Sequence, residues 1–256
     1  MQRFLAHLTW QEVAALPKDP GVVILPVGAT EQHGPHLPLL TDTLIADAVV
    51  SRMLDALPSE TPAWVLPTLP VSKSNEHTGY AGTLALSAAT MGAVVADLAR
   101  SVAAAGFRRL LFLNTHGGNK ALLEVACRDL RAELGLLCFL ASPVPLSPEE
   151  RAALPALEQR FGIHAGTVET ALILAAHPEL AHPERAAAHY PAFAPDTLNL
   201  TSPPQVGWLT RDWSPLGHFG DPGAADRAAG ERWLAHAVHD LAALVTDIAS
   251  FEVAHP

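Results

Sequence analysis

Lysine occurs only three times in the 256-residue chain, at Lys18, Lys73 and Lys120, and cysteine only twice, at Cys127 and Cys138. Two cysteines in no paired motif leave no disulfide framework, and they read as reduced, buried thiols. Charge of either sign is scarce, at 16% of residues, and it sums to −10 with a pI near 5.6. Such a chain repels phosphate backbones, and no local basic patch offsets this, so nucleic acid is not expected as a partner. Long hydrophobic runs are missing too. VVILPV and LLFLN fall far short of a bilayer, and the N-terminal stretch lacks the basic, apolar and small-residue succession of a signal peptide. A soluble, cytoplasmic protein with no membrane partner is expected. No G-x-S-x-G elbow, P-loop or strand-linked G-x-G-x-x-G occurs, which removes the common serine-hydrolase and nucleotide-binding classes.

What the chain does have is apolar mass and imidazole. Hydrophobic residues make up 49% with mean hydropathy +0.21, enough for a sizeable core. Thirteen histidines beside three lysines are too many to be solvent-facing residues alone, so some are expected to work. Neither repeats nor low-complexity tracts occur, and residues 1–256 are read as a single domain.

GVVILPVGA (21–29) is a continuous apolar run suited to a strand buried on both faces, RRLLFLN (108–114) reads as another buried strand, and LLCFLAS (136–142) as a fourth strand. WVLPTLPVS is a short strand broken by prolines, and GTLALS (82–87) alternates like a strand. Helical spacing follows in TLIADAVVSRMLDAL, with Thr41 or Asp42 as N-cap. It recurs in AATMGAVVADLARSVAAAG closed by Gly106, in KALLEVACRDLRAEL stopped at Gly135, in AGTVETALILAAH (165–177), and from about Ala224 to Ile248. This alternation predicts an α/β fold, a mostly parallel sheet with helices on both faces and ligands at the carboxyl ends of the strands. Proline and charge interrupt the pattern at 143–163. A stretch rich in proline and histidine, 177–222, is expected to wrap over the surface or a neighbour, since these segments keep Phe161, Tyr190, Phe193 and Trp208.

Metal-ligand chemistry concentrates at the predicted strand ends. In ATEQHGPHLPLLTD, Glu31 and His33 sit two apart, so on an extended segment they share a side while Gln32 faces away. Asp42 lies at the next helix start, and Pro35 and Pro38 stiffen the return. Alone, the cluster is equally consistent with solvated loop acids and a surface histidine. The second strand end changes that balance, because NTHGGN places His116 in the equivalent position, with Gly117 and Gly118 allowing φ > 0 and leaving room for a ligand. IHAGTVET adds His164 and Glu169. A glutamate in a first helical turn is often only a dipole partner, but AGTVETALILAA carries no other charge, so Glu169 calls for a cation. Ser74, Glu76 and His77 occupy a turn-rich segment and serve either substrate or the turn itself. TRDWSPLGHFGDP reads as a packing or subunit-contact loop.

Taken together, EQHGPHLPLLTD, NTHGGN and HAGTVET, with GTLALS, AAGFRRLLFLN and LTRDWSPLGHFGDPGAADRAAGE, resemble the creatininase (creatinine amidohydrolase) family over nearly the whole chain. The resemblance implies a three-layer α/β sandwich with a mixed, mostly parallel sheet, a homohexamer, and two divalent ions (Zn, Mn or Fe) bridged by a carboxylate. Position by position, Glu31 and His116 match ligands of one ion, His33 a ligand of the other, and Asp42 the bridge. His164 matches a histidine that contacts substrate and moves a proton, and Ser74 a substrate-contacting serine. Creatininase itself has a glutamate where this chain has Gly118, an aromatic residue in place of Gly117, and a tryptophan and aspartate where Arg160 and Phe161 stand. Creatinine is therefore not the expected substrate. Counting ligands makes Glu169 the replacement donor for the second ion, with His77, Gly117 and Arg160 expected beside the substrate.

The expected function is divalent-metal-dependent hydrolysis of a non-peptide C–N bond, an amide, cyclic amide or formamide of a small molecule, by a hydroxide between the two ions. One alternative is a metallopeptidase trimming a peptide C-terminus, of the kind acting on the mycofactocin precursor, with Arg160 or Arg211 meeting the carboxylate. The other is a noncatalytic metal-binding scaffold. An open cleft above His116 would favour peptides, and a closed cavity a small amide.

Overall fold

The computed structural model describes residues 2–192 and 197–253. In chain order its regular elements are α1 (Trp10–Ala15), β1 (Val22–Val27), α2 (Thr41–Ala56), β2 (Ala63–Val65), α3 (Ala88–Ala104), β3 (Arg109–Asn114), α4 (Lys120–Leu134), β4 (Leu137–Ala141), α5 (Pro148–Ala153), α6 (Ala156–Phe161), α7 (Thr167–Ala176) and α8 (Arg227–Ser250). The strands form a four-stranded sheet in the order β2-β1-β3-β4, and every pairing is parallel. Among the described residues, antiparallel contact occurs only at isolated bridges such as Thr30 with Leu84 and His164 with Phe219.

β1 and β3 are buried along their whole length, which is why their sequences run apolar without alternation. Residues on one face, including Val22, Ile24, Leu111 and Leu113, join a core with α2, α7 and α8. Val23, Leu25, Val27, Leu110 and Phe112 form a second core with α3 and α4. The result is three layers, helix, sheet and helix. β1 leads outward through α2 to β2, whereas β3 leads outward through α4 on the opposite face to β4. The crevice between the carboxyl ends of β1 and β3 is therefore the topological switch point, where open α/β sheets bind ligands.

GTLALS is not a strand. Leu84 bridges to Thr30 and Ala85 to Ser72, two unrelated partners one residue apart, so no ladder can propagate. Helix α2 begins behind Leu40, which places Thr41 and Asp42 inside its first turn instead of at the cap and leaves the Asp42 carboxylate free to face the crevice. The 143–163 interruption holds two short helices; α5 starts on a Ser147–Glu150 capping box with Pro148 at its first position. The 177–222 segment, as far as it is described, folds onto this chain's own strand ends. His182 N donates to His36 O at 2.8 Å, and His189 pairs with Gly220. Phe193 lies outside the described residues. Both cysteines are free and half-buried, and burial pushes Cys127 up to about 11 and Cys138 up to about 12. Among the described residues no helix is long and apolar enough to cross a membrane.

Where α8 crosses α7, Gly230 brings the two backbones together: a Cβ there would lie 2.0 Å from Ala171 O. Alanine favours a helix interior by about 1 kcal/mol over glycine, yet a clash with main chain cannot be relieved by a rotamer change. Gly230→Ala is therefore expected to destabilise the fold by about 1–3 kcal/mol in urea denaturation, the usual cost of overpacking; an unchanged or higher midpoint would refute so close a crossing.

Candidate metal centre

The loops leaving β1 and β3, with the first turn of α2, deliver four buried groups to one point. Glu31 and His33 are fully buried, and Asp42 and His116 nearly so. His116 Nδ1 lies 3.3 Å from Glu31 Oε1 and 3.5 Å from Asp42 Oδ2, and His33 Nε2 lies 3.6 Å from Asp42 Oδ1 and 4.0 Å from Glu31 Oε1. Glu31, Asp42 and His116 each offer one donor atom within a 4.8 Å group; His33, His164 and Glu169 form a second such group, and Glu31, His77 and His164 a third. All five expected metal ligands thus come together in space.

The outer nitrogens of the histidines decide what faces inward. His33 Nδ1 is 3.0 Å from Glu31 O, His116 Nε2 is 3.0 Å from Lys73 O, and His164 Nε2 is 2.7 Å from Gln32 O. A carbonyl only accepts, so each outer nitrogen carries the hydrogen and a neutral ring turns its other lone pair inward. Those lone pairs meet carboxylate oxygens. Accordingly, Glu31 Oε1, His33 Nε2 and Asp42 Oδ2 are buried with no hydrogen-bond partner, an arrangement that costs several kcal/mol unless a cation or protons intervene. Burial opposes a charge on His33, but Asp42, Glu169 and Glu31 outweigh it and hold the ring up at about 9. His116 is likewise raised well above an ordinary imidazole against its burial, by Glu31, Glu76 and Asp42. Protons thus gather where divalent ions fit, and mixed imidazole and carboxylate donors suit zinc, manganese or iron.

A further shell orients Glu31. Ser74 Oγ donates to its Oε2, and His77 Nε2 faces its Oε1 at 3.4 Å. Gln32 does not face away as the extended-segment pattern predicts. The segment turns at Gly34 (φ 66°), and the Gln32 amide nitrogen donates to His77 Nδ1 at 2.7 Å and to Gly217 O at 2.7 Å. Thr210 Oγ1 also meets His77 Nδ1, at 2.9 Å. The TRDWSPLGHFGDP loop therefore backs the site directly. Burial and the neighbouring His33 and His116 push His77 down to about 3, so its ring is neutral.

His164 and Glu169 flank a strained turn. Ala165 between them has φ 51°, a left-handed conformation costing of order 1–3 kcal/mol for a residue with a side chain. Two contacts hold it: Ala165 N donates to Glu169 Oε2 at 2.5 Å, and Ala165 O meets His36 Nε2 at 3.0 Å. Burial raises Glu169 to about 7, with Asp42 adding to the rise and His33 opposing it. Burial, then His77 and His33, keeps His164 well below the ordinary imidazole value. Glu158, not singled out from sequence, anchors the far side. Its carboxylate accepts from Thr167 N at 2.8 Å, Tyr190 Oη at 3.0 Å and Asp221 N at 3.0 Å. No local motif announces contacts spanning up to 63 residues.

A cavity of about 390 Å³ opens to solvent beside the centre, reaching it at His116 and Glu169. Gly117 and Arg160 line it, together with Lys120 and Arg151, whereas Ser74 and His77 lie behind the cluster. A Cβ on Gly117 would meet nothing within 4 Å, so this glycine leaves open space; neither Gly117 nor Gly118 takes a positive φ.

A buried imidazole and carboxylate cage at the switch point of a parallel α/β sheet is the frame of a hydrolytic enzyme. Residues 6–245 match the family described as creatininase, creatinine amidohydrolase, and the chain belongs to that family. It is 35% identical to the mycofactocin precursor peptide peptidase of Mycobacterium ulcerans over 92% of this chain and 89% of the relative. It is 34% identical to the creatinine amidohydrolase of Pseudomonas putida over 75% of this chain and 78% of the relative. Among solved structures, a mutant creatininase complexed with creatine superposes with a TM-score of 0.78 at 29% identity, covering 96% of this chain and 98% of the other. A creatininase with manganese and a mutant of Zn-Zn type give TM-scores of 0.73 and 0.74.

If the cage fits cations as its orphaned atoms indicate, chelator-treated protein given Zn²⁺ or Mn²⁺ at about 100 times Kd gains about 2.7 kcal/mol. At this length that is a Tm rise of roughly 5–11 °C. An unmoved melting curve at saturating metal would contradict the fit.

Proposed function

We propose that this protein is a divalent-metal-dependent hydrolase of an amide C–N bond. The observation that carries the proposal is the set of buried, unpartnered atoms Glu31 Oε1, His33 Nε2 and Asp42 Oδ2, the two carboxylate oxygens lying 3.3 and 3.5 Å from His116 Nδ1. Glu31 and His116 would hold one ion and His33 and Glu169 a second, with the Asp42 carboxylate within reach of both groups. Such ions would supply a water acidified from about 15.7 towards neutrality and a Lewis acid for the amide carbonyl.

The chain's own groups account for the rest. His164, neutral and hydrogen-bonded through Nε2 to the Gln32 carbonyl, keeps Nδ1 free to take a proton on the inner side and deliver it to the leaving nitrogen. Ser74 and His77 fix Glu31, a positioning role in place of the substrate contact expected from sequence. His36 and Glu169 keep the Ala165 turn in place and so aim His164. The test is an assay of formamides, cyclic amides and short peptides with Zn²⁺ or Mn²⁺, comparing His164→Gln and Glu169→Gln with wild type. His164→Gln is expected to lower kcat by about 10²–10⁴-fold with metal content intact, and Glu169→Gln to remove one equivalent of metal. Tight metal binding with no turnover on any substrate would leave a scaffold; loss of metal from His164→Gln would make His164 a ligand instead.

A peptide substrate is favoured over a small amide by the cavity. At about 390 Å³ and open to solvent, it falls in the range that accommodates drug-sized ligands. In a chain with few cations, Lys120, Arg151 and Arg160 all border it, whereas Arg211 does not. On this reading they face the carboxylate of a peptide C-terminus, and the similarity to the mycofactocin precursor peptidase supports it. Arg160→Ala is expected to lower kcat/KM about 5-fold, the worth of an exposed charge contact near 1 kcal/mol, for peptides with a free C-terminus but not for their C-terminal amides. Equal losses on both would remove Arg160 from carboxylate recognition.

A further inference from the structure

Glu76 stands outside the cluster of expected ligands but against one of them. Its Oε1 lies 3.2 Å from His116 Nε2, the outer nitrogen that also faces Lys73 O at 3.0 Å. Lys73 Nζ lies 3.7 Å from the other carboxylate oxygen, so the Glu76 side chain is tethered at both ends. It is mostly buried, with 14% of the side chain exposed, too little for water to screen the contact fully. Gly118 makes the room. A Cβ at that position would lie 1.9 Å from Glu76 Oε1, 2.5 Å from His116 Nε2 and 2.8 Å from Lys73 O. The missing side chain at Gly118 thus admits a carboxylate from a distant segment. That carboxylate reaches the back of His116 and not its front.

We propose that Glu76 is a positioning residue for His116: its carboxylate shares the outer N–H with the Lys73 carbonyl, fixes the tautomer and ring plane, and makes Nδ1 a stronger donor toward Glu31 and Asp42. A carboxylate behind an imidazole acts in this way because it stabilises positive charge spread over the ring when the inner nitrogen donates to a cation. The backbone carbonyl alone fixes direction, while only the carboxylate adds charge. The proposal rests on the reading that the cluster binds a cation.

Glu76→Gln keeps shape and hydrogen-bond acceptance and deletes only the charge. Competition of wild type and variant with a chromogenic chelator for Zn²⁺ is expected to show affinity weakened about 10–100-fold, with unchanged stoichiometry at saturation and an apo-protein Tm within about 2 °C of wild type. In Zn²⁺-loaded wild type, the His116 Nε2–H is expected as a slowly exchanging, downfield imidazole proton in NMR, independently of whether the variant folds. A variant binding Zn²⁺ within about threefold of wild type, or a His116 Nε2–H in rapid exchange with solvent, would overturn the role of Glu76 alone. Wild-type protein that takes up no Zn²⁺ would overturn the metal reading, and this proposal with it.

Discussion

Electron pairs confront one another at the heart of this molecule. Carboxylate oxygens of Glu31 and Asp42 face the inner nitrogens of His33 and His116 at 3.3–4.0 Å, on side chains that are almost wholly buried. Like-signed lone pairs in low dielectric repel strongly unless positive charge is placed between them. Much of the surrounding architecture prevents these groups from turning away. Backbone carbonyls of Glu31, Lys73 and Gln32 occupy the outer nitrogens, Ser74 fixes the second oxygen of Glu31, and the first turn of α2 fixes Asp42.

The fold supplies the rigidity that this confrontation requires. β1 and β3 are neighbours in register, Val27 beside Asn114, and both are sealed between two helical layers. Their exits therefore begin from fixed points. The later segments close in from the other side: α7 contributes Glu169, the turn before it His164, and the loops around Thr210 and Gly217 hold His77 and Gln32. Glu158 ties three of these late segments together through one carboxylate. Strain at Ala165 is tolerable because contacts grip its main chain on both sides.

Legibility in the sequence followed the range of the interactions involved. β1, β3 and the long helices were readable because burial on both faces and helical spacing are properties of consecutive residues. Glu31, His33, Asp42, His116 and Glu169 were readable as candidates because ligand-type residues stood at strand and helix ends. GTLALS misled because alternation reports an exposed rhythm without reporting whether a single partner strand exists. Gln32 was misplaced because a pattern of two assumes straight backbone, and Gly34 bends it. The tie from Glu158 to Tyr190 and Asp221, and that from Glu76 to His116, are invisible for a different reason: these partners lie tens of residues away, and nothing local encodes them.

Gly117 separates two properties that proteins usually find hard to change apart. Its missing side chain borders vacant volume, while the adjacent Gly118 is hemmed in by Glu76, His116 and Lys73. Enlarging residue 117 would narrow the chamber without disturbing the framework that supports it. The volume beside the cage is therefore set at a position whose exchange leaves the packing behind His116 as it is.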